Sequence, residues 1–341
     1  MILAVLAAFA TAFILDDYLS RSGSGSRILD YPNVRSLHSR PIPRTGGLAV
    51  LAGMGTGVLV IWIGMDGPYR GGIIILGAGL APLALVSFLD DRMGVSARWR
   101  ILVHLLAANT PLVVGLVPGQ FDVPGLDFPL PAWIAILLTL LFTVWSINLY
   151  NFMDGMDGFA GGMAVIGFST LAWLGWADAG FAALCLTVAA ASAGFLIHNF
   201  PPAKIFLGDT GSTSLGFLVA ACSLWGSHSG LFPFWVAILV FSPFIVDATV
   251  TLLRRLLRGE KIWEAHRSHY YQRLVLLGWG HRRTVLAEYA LMLACAGSAL
   301  LAVRLSSVGQ AALAAGWLFI FGSLMWGVGR LERERATVSA P

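Results

Sequence analysis

Residues 132–158 read AWIAILLTLLFTVWSINLYNFMDGMDG. This stretch contains no charged residue before Asp154, and its apolar part is long enough for one helix to cross a lipid bilayer. Amides, carboxylates and glycines follow directly after the apolar part. We therefore expect the chain to be built from membrane-spanning helices, some of which end in dense polar motifs.

The composition of the whole chain agrees with this expectation. Of its 341 residues, 57% are hydrophobic and only 12% are charged, and the mean hydropathy is +0.78. Ordinary soluble domains carry about 25% charged residues, so this chain has too few polar side chains for a water-facing surface. The composition excludes soluble enzymes, DNA-binding modules and disordered proteins. The net charge of +4 does not indicate a nucleic-acid partner, because the basic residues lie in short loops.

The apolar segments predict an all-α polytopic integral membrane protein. A hydropathy window of about 19 residues gives about eleven transmembrane helices within a single domain of residues 1–341. The predicted spans are 1–15, 46–65, 72–89, 101–117, 132–148, 158–176, 179–197, 212–227, 231–253, 285–304 and 309–328.

Lys and Arg are distributed unequally between alternate loops. If eleven spans are present, 20 of the 22 basic residues lie on one side of the membrane, and only Arg70 and Arg304 lie on the other. Cytoplasmic loops of membrane proteins carry the excess of Lys and Arg. The N-terminus is therefore predicted to be periplasmic and the C-terminus cytoplasmic.

The loops predicted to be cytoplasmic also contain the dense polar motifs. These loops are 16–45, 90–100, 148–158, 198–212 and 254–284. The loops on the opposite side have no comparable density of acids, amides and histidines. This segregation predicts a functional site that faces the cytoplasm and is built from loops and helix ends.

Two adjacent carboxylates, Asp90 and Asp91, follow an apolar span and precede Arg92. One interpretation is an interfacial end of the span with a local ion pair. The other is a functional pair that holds a divalent cation or accepts a proton.

The motif NLYNFMDGMDG contains two pairs of polar residues with a spacing of three: Asn148 with Asn151, and Asp154 with Asp157. Residues three apart lie on neighbouring positions of a helical turn. Two amides and two acids at the end of a membrane span are costly to bury, so we favour a functional role over a structural one.

The motif KIFLGDTGS at 204–212 leads directly into a predicted helix. The first N–H groups of a helix are unpaired and suit an anion. Because Asp209 would repel a bare phosphate, a Mg²⁺ ion between its carboxylate and a diphosphate is the favoured interpretation. The alternative is that Asp209 or Ser212 only caps the helix.

Two histidines, His266 and His269, lie three residues apart next to Arg267. Zinc binding is weakly supported because no cysteine accompanies them, and phosphate or sugar contacts are favoured. Asp247, inside a predicted span, is either functional or paired with the arginines about two helical turns later.

Taken together, these motifs resemble the polyprenyl-phosphate N-acetylhexosamine-1-phosphate transferases. The resemblance extends from about Pro32 to Leu274. It rests on PNVRSLHSRPIPRTGG, the pair Asp90-Asp91, NLYNFMDGMDG, FLGDTGS and PFIVDATVTLLRRLLRG with the histidine loop that follows it. It implies a bundle of transmembrane helices with a cytoplasmic active site in a bacterial inner membrane.

The resemblance also implies roles for individual residues. Asp209 and Asp91 would bind Mg²⁺, for which Mn²⁺ is an expected substitute. Asp90, Asp91 and Asp209 are the expected catalytic residues, with the adjacent pair as proton acceptor or support for the metal. Asn199 and Phe206 resemble the amide and the ring that bind uracil. The expected substrate-binding residues are His38, Arg44, Asn148, Asn151, Asp154, Asp157, Asn199, Phe206, His266, Arg267 and His269.

The implied reaction transfers an N-acetylhexosamine-1-phosphate of the GlcNAc, FucNAc or QuiNAc type from a UDP-sugar to undecaprenyl phosphate, with release of UMP. The histidine motif reads HRSH, without the three consecutive histidines of the muramoyl-pentapeptide enzymes. It is more similar to the subgroup that initiates O-antigen synthesis. Phospho-N-acetylmuramoyl-pentapeptide transferase, a transporter or lipid flippase, and a non-catalytic scaffold are the alternatives, and a homodimer is left open.

Overall fold

The computed structural model describes residues 1–21, 28–32, 37–64, 69–261 and 266–338. Most of these residues are helical, which confirms the prediction of an all-α membrane protein. The helices are α1 (Ile2–Arg21), α2 (Gly46–Gly64), α3 (Tyr69–Met93), α4 (Ala97–Val113), α5 (Ala132–Met153), α6 (Phe159–Leu174), α7 (Ala179–Asn199), α8 (Gly208–His228), α9 (Phe234–Val240), α10 (Ser242–Leu257), α11 (Tyr270–Leu274), α12 (Gly280–Ala302) and α13 (Ser307–Val338). A π-helical turn, Val275–Trp279, joins α11 to α12.

Two short antiparallel strand pairs accompany the helices, and the sequence did not predict them. Strand β1 (Leu29–Asp30) pairs with β2 (Ile42–Pro43), and β3 (Gln120–Val123) pairs with β4 (Leu126–Pro129). The second pair is closed by the dipeptide Pro124-Gly125, in which Gly125 adopts a φ of +85°. Glycine suits this turn because it enters the left-handed region without steric cost.

The structure does not confirm eleven spans. In the described parts of the chain, seven helices are long and apolar enough to cross a membrane, and the bent pair α9 and α10 would make eight. Helices α4 and α6 have only 17 and 16 residues. At about 1.5 Å per residue, such helices are shorter than the hydrocarbon core of roughly 30 Å. The direction in which the chain crosses the membrane stays a prediction.

The predicted span 231–253 is broken. Its two parts, α9 and α10, meet at an angle of 81°. Pro243 lies in the first turn of α10, where a proline is tolerated because the N–H groups there have no partner within the helix. The same ring disfavours a helix that continues through it from α9. A hydropathy window is insensitive to this bend because both parts are apolar.

The core of the bundle is formed by α7 and α8. Helix α8 is buried from Thr210 to Gly226 and packs against α3 and α5, whereas α7 packs against α1, α2 and α6. Small residues permit these close contacts between membrane helices. A Cβ added at Gly216 would lie 2.5 Å from the carbonyl oxygen of Ser146, so α8 lies directly on the backbone of α5.

Large apolar side chains cover the outer faces of the bundle. On α13, for example, Leu318 is 75% exposed and Phe319 is 76% exposed. A soluble protein rarely exposes such a continuous apolar surface, and these side chains are suited to lipid. The chain is therefore a multi-pass membrane protein.

The N-terminus of α2 lies against the N-terminus of α8. The N–H groups of Gly46 and Gly47 donate to the carbonyl oxygens of Phe206 and Leu207, at 2.9 and 2.8 Å. A Cβ added at Gly47 would lie 2.3 Å from the backbone nitrogen of Gly211. Two polar motifs that are far apart in the sequence are brought together by this contact between glycines.

Candidate active site

A cavity of about 340 Å³ opens where these helix ends meet. Each of the five loops that carry the predicted polar motifs contributes to its wall. The lining residues are Asp30, Leu37, His38, Arg44, Asp91, Asn151, Asp154, Gly155, Met156, Asp157, Asn199, Phe206, Gly208, Asp209, Gln272 and His281. Five of them are aspartates, so the cavity is strongly acidic.

Asp91, in the last turn of α3, anchors the N-terminus of α8. Its carboxylate accepts the N–H groups of Asp209 and Thr210, at 3.0 and 2.9 Å, and the hydroxyl of Thr210 at 2.8 Å. A negative charge at this position is stabilised by the helix dipole. Contrary to the prediction, the N–H groups of Asp209 and Thr210 are therefore not available to a phosphate, because Asp91 already binds them.

The alternative prediction, a cap supplied by the helix itself, is also wrong. No side chain of α8 caps its first turn, and the hydroxyl of Ser212 donates to the carbonyl oxygen of Gly208 at 3.0 Å. Gly208 adopts a φ of +71°, and an added Cβ would lie 2.7 Å from the carbonyl oxygen of Arg44 and 2.9 Å from the Asp91 carboxylate. The glycine is required for this close approach.

Asp90 has different neighbours from Asp91. Its carboxylate accepts the N–H of Val95 at 2.6 Å and a guanidinium N–H of Arg100 at 2.8 Å. The same Arg100 lies 3.8 Å from the carboxylate of Asp209. Arg100 therefore links the adjacent aspartates of α3 to the first turn of α8.

Asp154 and Asp209 are close enough to affect each other electrostatically. Burial raises the pKa of Asp154 well above its usual value, and the charges of Asp209, Asp91 and Asp30 raise it further. Burial, followed by the charges of Asp91 and Asp90, also raises the pKa of Asp209. These shifts mean that the cluster carries more negative charge than its protein surroundings stabilise.

Two other predicted residues contact this acidic cluster. The Asn151 side chain lines the same cavity as Asp209 and lowers the pKa of the Asp209 carboxyl. Arg44 donates to the backbone carbonyl oxygen of Asp91, and its Nε lies 3.8 Å from the carboxylate of the same residue. Arg44 brings a positive charge to a wall that is otherwise acidic.

His38 and Phe206 form another part of the wall. Their rings meet edge to face, with centroids 5.0 Å apart, and the His38 Nε2 lies 3.6 Å from the carboxylate of Asp30. Asp157 pairs with His281 at 3.0 Å and accepts the N–H of Ala203 at 3.0 Å. The structure thus brings these predicted residues to the same cavity.

Asn199 also lies at the cavity, but its amide is engaged by the backbone. Its Oδ1 accepts the N–H of Gly158 at 2.9 Å, and its Nδ2 donates to the carbonyl oxygen of Ile205 at 2.9 Å. The side chain is 4% exposed. These contacts make Asn199 a connection between two loops and argue against its expected role as a uracil-binding amide.

Five predicted residues lie outside the cavity wall: the expected catalytic residue Asp90, described above, and four residues expected to bind substrate. Asn148 donates to the carbonyl oxygen of Val144 at 2.7 Å and lies 3.3 Å from a ring nitrogen of His104. The other three, His266, Arg267 and His269, precede α11 and do not line the cavity. The expectation that these four contact the substrate has no support in their positions.

Asp247 explains where the histidine motif lies. Its carboxylate accepts the N–H groups of Tyr270 and Tyr271, at 2.9 and 3.1 Å, and lies 3.2 Å from Nδ1 of His269. In the described part of the chain, the contacts of Asp247 therefore include no ion pair with Arg254 or Arg255. It fixes the start of α11, and α11 in turn carries Gln272 to the cavity.

Sequence reasoning missed Arg100, Gln272 and His281. Arg100 is one of the basic residues of the predicted loop 90–100, which also contains the adjacent aspartates. The Nε2 of His281 lies 3.2 Å from the carbonyl oxygen of Leu37, and these residues are distant in the sequence. No local pattern indicates such a long-range pair.

The cavity suits a divalent cation that shares its ligands with a substrate. Within the described ranges, no group of three His, Cys, Asp or Glu side chains forms a metal site by itself. Mg²⁺ commonly uses only one or two carboxylates and completes its shell with phosphate oxygens and water. Asp209 and Asp154 fit this requirement, because both line the cavity and both carry carboxylates whose charge is poorly stabilised.

Comparison with known proteins identifies the family. The profile of glycosyl transferase family 4 matches residues 73–227. The chain is 35% identical over 295 residues to the probable undecaprenyl-phosphate N-acetylglucosaminyl 1-phosphate transferase of Bacillus subtilis, covering 85% of this chain and 81% of that protein.

Two further relatives come from other bacteria. The decaprenyl-phosphate N-acetylglucosaminephosphotransferase of Mycobacterium tuberculosis is 31% identical, covering 76% of this chain and 72% of the relative. The undecaprenyl-phosphate alpha-N-acetylglucosaminyl 1-phosphate transferase of Escherichia coli K12 is 27% identical, with 75% and 71% covered. The chain belongs to glycosyl transferase family 4, the family of polyprenyl-phosphate hexosamine-1-phosphate transferases.

Proposed function

We propose that this protein transfers N-acetylhexosamine-1-phosphate from a UDP-sugar to undecaprenyl phosphate, releasing UMP. The observation that carries the proposal is the convergence of Asp91, Asp154 and Asp209 on one cavity that also contains Arg44. An acidic, partly neutralised cavity of this kind is suited to a diphosphate that arrives with a cation. A scaffold would have no need for such a cluster of buried charges.

In this proposal Asp209 and Asp154 hold Mg²⁺, which when bound neutralises charge between the two anionic substrates. Asp91 has a different role from the one expected, because its carboxylate already accepts three hydrogen bonds from Asp209 and Thr210. It holds α8 in position and thereby fixes Asp209. Arg44 is placed to contact a phosphate of the donor, where a guanidinium binds well.

The proposed reaction is a single displacement. An oxygen of the lipid phosphate attacks the phosphorus that carries the sugar. The bond from that phosphorus to the bridging oxygen breaks, and UMP leaves with the bridging oxygen. The attacking phosphate monoester is largely dianionic at pH 7, since its second pKa is about 6, so the reaction has little need for a general base. Positioning and charge neutralisation then supply most of the rate increase.

The surroundings of the adjacent aspartates favour this route over a phospho-aspartate intermediate. Asp90 is ion-paired with Arg100 at 2.8 Å, and Asp91 is bound to the N-terminus of α8. Carboxylates held in this way are poor nucleophiles because their lone pairs are already engaged. We therefore propose that neither residue forms a covalent intermediate.

The names of the relatives support the choice of substrates. Those of Bacillus subtilis and Escherichia coli name undecaprenyl phosphate and N-acetylglucosamine, so UDP-GlcNAc is the first donor to test. The proposed product begins a cell-surface polysaccharide such as an O-antigen. We further propose that the cavity faces the cytoplasm, where UDP-sugars are made.

The test uses purified full-length protein in detergent with undecaprenyl phosphate and MgCl₂. UDP-GlcNAc, UDP-FucNAc, UDP-QuiNAc and UDP-MurNAc-pentapeptide are supplied separately, and UMP and the lipid product are measured. We expect UMP with an N-acetylhexosamine donor, loss of the activity in EDTA and its recovery with Mg²⁺ or Mn²⁺. Product from the pentapeptide donor alone would replace the proposal with the muramoyl-pentapeptide alternative. No UMP with any donor would favour a transporter.

A further inference from the structure

The end of α13 contacts the segment that leads to the cavity. The guanidinium of Arg273 on α11 makes a two-pronged contact with the carboxylate of Glu332 on α13, at 2.6 and 2.5 Å. One turn further along α13, Arg335 donates to the carbonyl oxygen of Leu276 at 3.0 Å. This part of α13 lies beyond the predicted span 309–328, so the helix continues past the span to reach α11.

The contact between Arg273 and Glu332 is specific rather than a loose surface pair. The side chain of Arg273 is only 7% exposed, and its guanidinium lies 4.4 Å above the ring of Tyr270. A planar guanidinium is suited to this combination of a carboxylate and an aromatic face, and a lysine is not. The Glu332 side chain is more exposed, at 37%, so the buried member of the pair is Arg273. Removing Glu332 leaves the buried guanidinium without its compensating charge.

Helix α11 is therefore held at both ends. Asp247 of α10 accepts the N–H groups of its first two residues, and Glu332 of α13 binds its fourth residue, Arg273. A helix of five residues has little stability of its own. These two carboxylates therefore help to fix its position, together with its continuation into the π-helical turn and α12.

Between its two anchors, α11 carries two side chains towards the catalytic cavity. Gln272 lines the cavity, and the hydroxyl of the buried Tyr271 donates to the carbonyl oxygen of Phe152 at 3.4 Å. A Cβ added at Gly155 would lie 2.2 Å from that hydroxyl. Tyr271 therefore packs directly against the loop that contains Asp154.

We propose that Arg273 and Glu332 are positioning residues for the active site, acting through Tyr271 and Gln272 on the loop of Asp154. This inference rests on the proposed function, because it assigns Asp154 a part in that reaction. The end of α13 would thus hold the cavity in shape through α11, although none of the lining residues belongs to α13.

The experiment compares Glu332→Gln with Glu334→Gln. Glu334 is the matched control, since it lies on the same helix and pairs with the exposed Arg330. Steady-state UMP release gives kcat and the KM for the donor, at a temperature well below the thermal midpoint of each variant. Hydrogen–deuterium exchange is followed in peptides that cover residues 151–160 and 270–279. Glu332→Asp, which keeps the charge, is the conservative variant.

For Glu332→Gln we expect kcat to fall about tenfold, which is less than the roughly 100-fold that a displacement of 1 Å can cause. The donor KM should stay within about twofold. Exchange should increase in both peptides. Glu332→Asp should regain part of the lost kcat, and Glu334→Gln should behave as the unmodified protein.

A different pattern would overturn the inference. If Glu332→Gln increases exchange only in residues 270–279 and leaves kcat unchanged, the pair only attaches α13 to α11 and does not position the active site. Equal losses in Glu332→Gln and Glu332→Asp would exclude a role for the charge. If the unmodified protein releases no UMP, the proposed function fails. Exchange in residues 151–160 still tests by itself whether Glu332 stabilises the loop of Asp154.

Discussion

At the residue scale, Asp91 and Asp209 are hydrogen-bonded neighbours that have different tasks. The side chain of Asp91 is 1% exposed, and that of Asp209 is 32% exposed towards the cavity. Asp91 accepts three hydrogen bonds from the first turn of α8. One carboxylate therefore supports the fold of the site, and the other is available to a substrate or cation.

This difference predicts the effect of Asp209→Asn. The amide cannot neutralise a cation, so kcat for UMP release should fall by about 100-fold or more. The thermal midpoint should change little, because the Asp209 side chain is 32% exposed. Its negative charge is also poorly stabilised by the protein, so removing that charge loses little stability. Asp122→Asn, in β3, is the control and should keep full activity. Retained activity in Asp209→Asn would remove Asp209 from the reaction.

Asp91→Asn should mainly lower the stability of the protein. An asparagine offers one oxygen where the carboxylate offers two, and its NH₂ group would face an N–H of α8. Leaving a buried donor unpaired costs about 1–3 kcal/mol. Thermal unfolding in detergent should therefore begin at a clearly lower temperature than for Asp209→Asn. If both variants unfold at the same temperature as the unmodified protein, Asp91 does not anchor α8.

The residues of the site were predictable to the extent that each lies at an end of an apolar segment. Asp91, Asp154 and Asp209 are conspicuous in the sequence because carboxylates are costly near a bilayer. His281 was not predictable, because its partner Asp157 is distant in the sequence and only the folded chain brings them to 3.0 Å. For the histidine motif, the local spacing suggested a ligand site. In the structure, however, His269 contacts Asp247 and does not line the cavity.

At the scale of elements, glycines set the distance between α2 and α8. A Cβ at Gly47 would meet the backbone nitrogen of Gly211 at 2.3 Å, and a backbone atom cannot move aside as a side chain can. Gly47→Ala should therefore separate the two helices, displace Arg44 from Asp91 and lower UMP release. Overpacking of this kind typically destabilises a protein by about 1–3 kcal/mol.

Gly55→Ala provides the matched control for this prediction. Gly55 lies on the same helix α2, and an added Cβ there would meet nothing within 4 Å. The variant should keep the activity and thermal midpoint of the unmodified protein. If Gly47→Ala and Gly55→Ala are equally active, the contact between α2 and α8 does not set the geometry of the site.

Hydropathy predicted most helices because a long apolar segment in a bilayer must satisfy its own backbone hydrogen bonds. It did not predict where they end or bend. Helix α5 continues to Met153 and α13 to Val338, since hydrogen bonding within a helix continues past polar side chains. The bend between α9 and α10 leaves the hydropathy unchanged and was therefore missed.

At the scale of the whole molecule, the apolar exterior shows that the chain lies in a membrane, and the distribution of basic residues predicts which end faces inwards. Ser96 and Gln120 test this prediction, because both are exposed. Ser96 follows the end of α3 that carries Asp91 to the cavity, whereas Gln120 precedes the start of α5, the end of that span remote from the cavity. The three native cysteines, Cys185, Cys222 and Cys295, are buried, so they should react slowly with a thiol reagent. Single cysteines at the two positions can then be labelled separately.

We expect a membrane-impermeant maleimide to label Gln120→Cys in intact spheroplasts, and to label Ser96→Cys only after the membrane is permeabilised. The unmodified protein is the control for slow labelling of the buried cysteines. UMP release by both variants would show that the labelled molecules are folded. Labelling of Ser96→Cys from outside would place the cavity with its aspartates at the periplasmic face. A UDP-sugar made in the cytoplasm could not reach it there, so this result would contradict both the predicted orientation and the proposed donor.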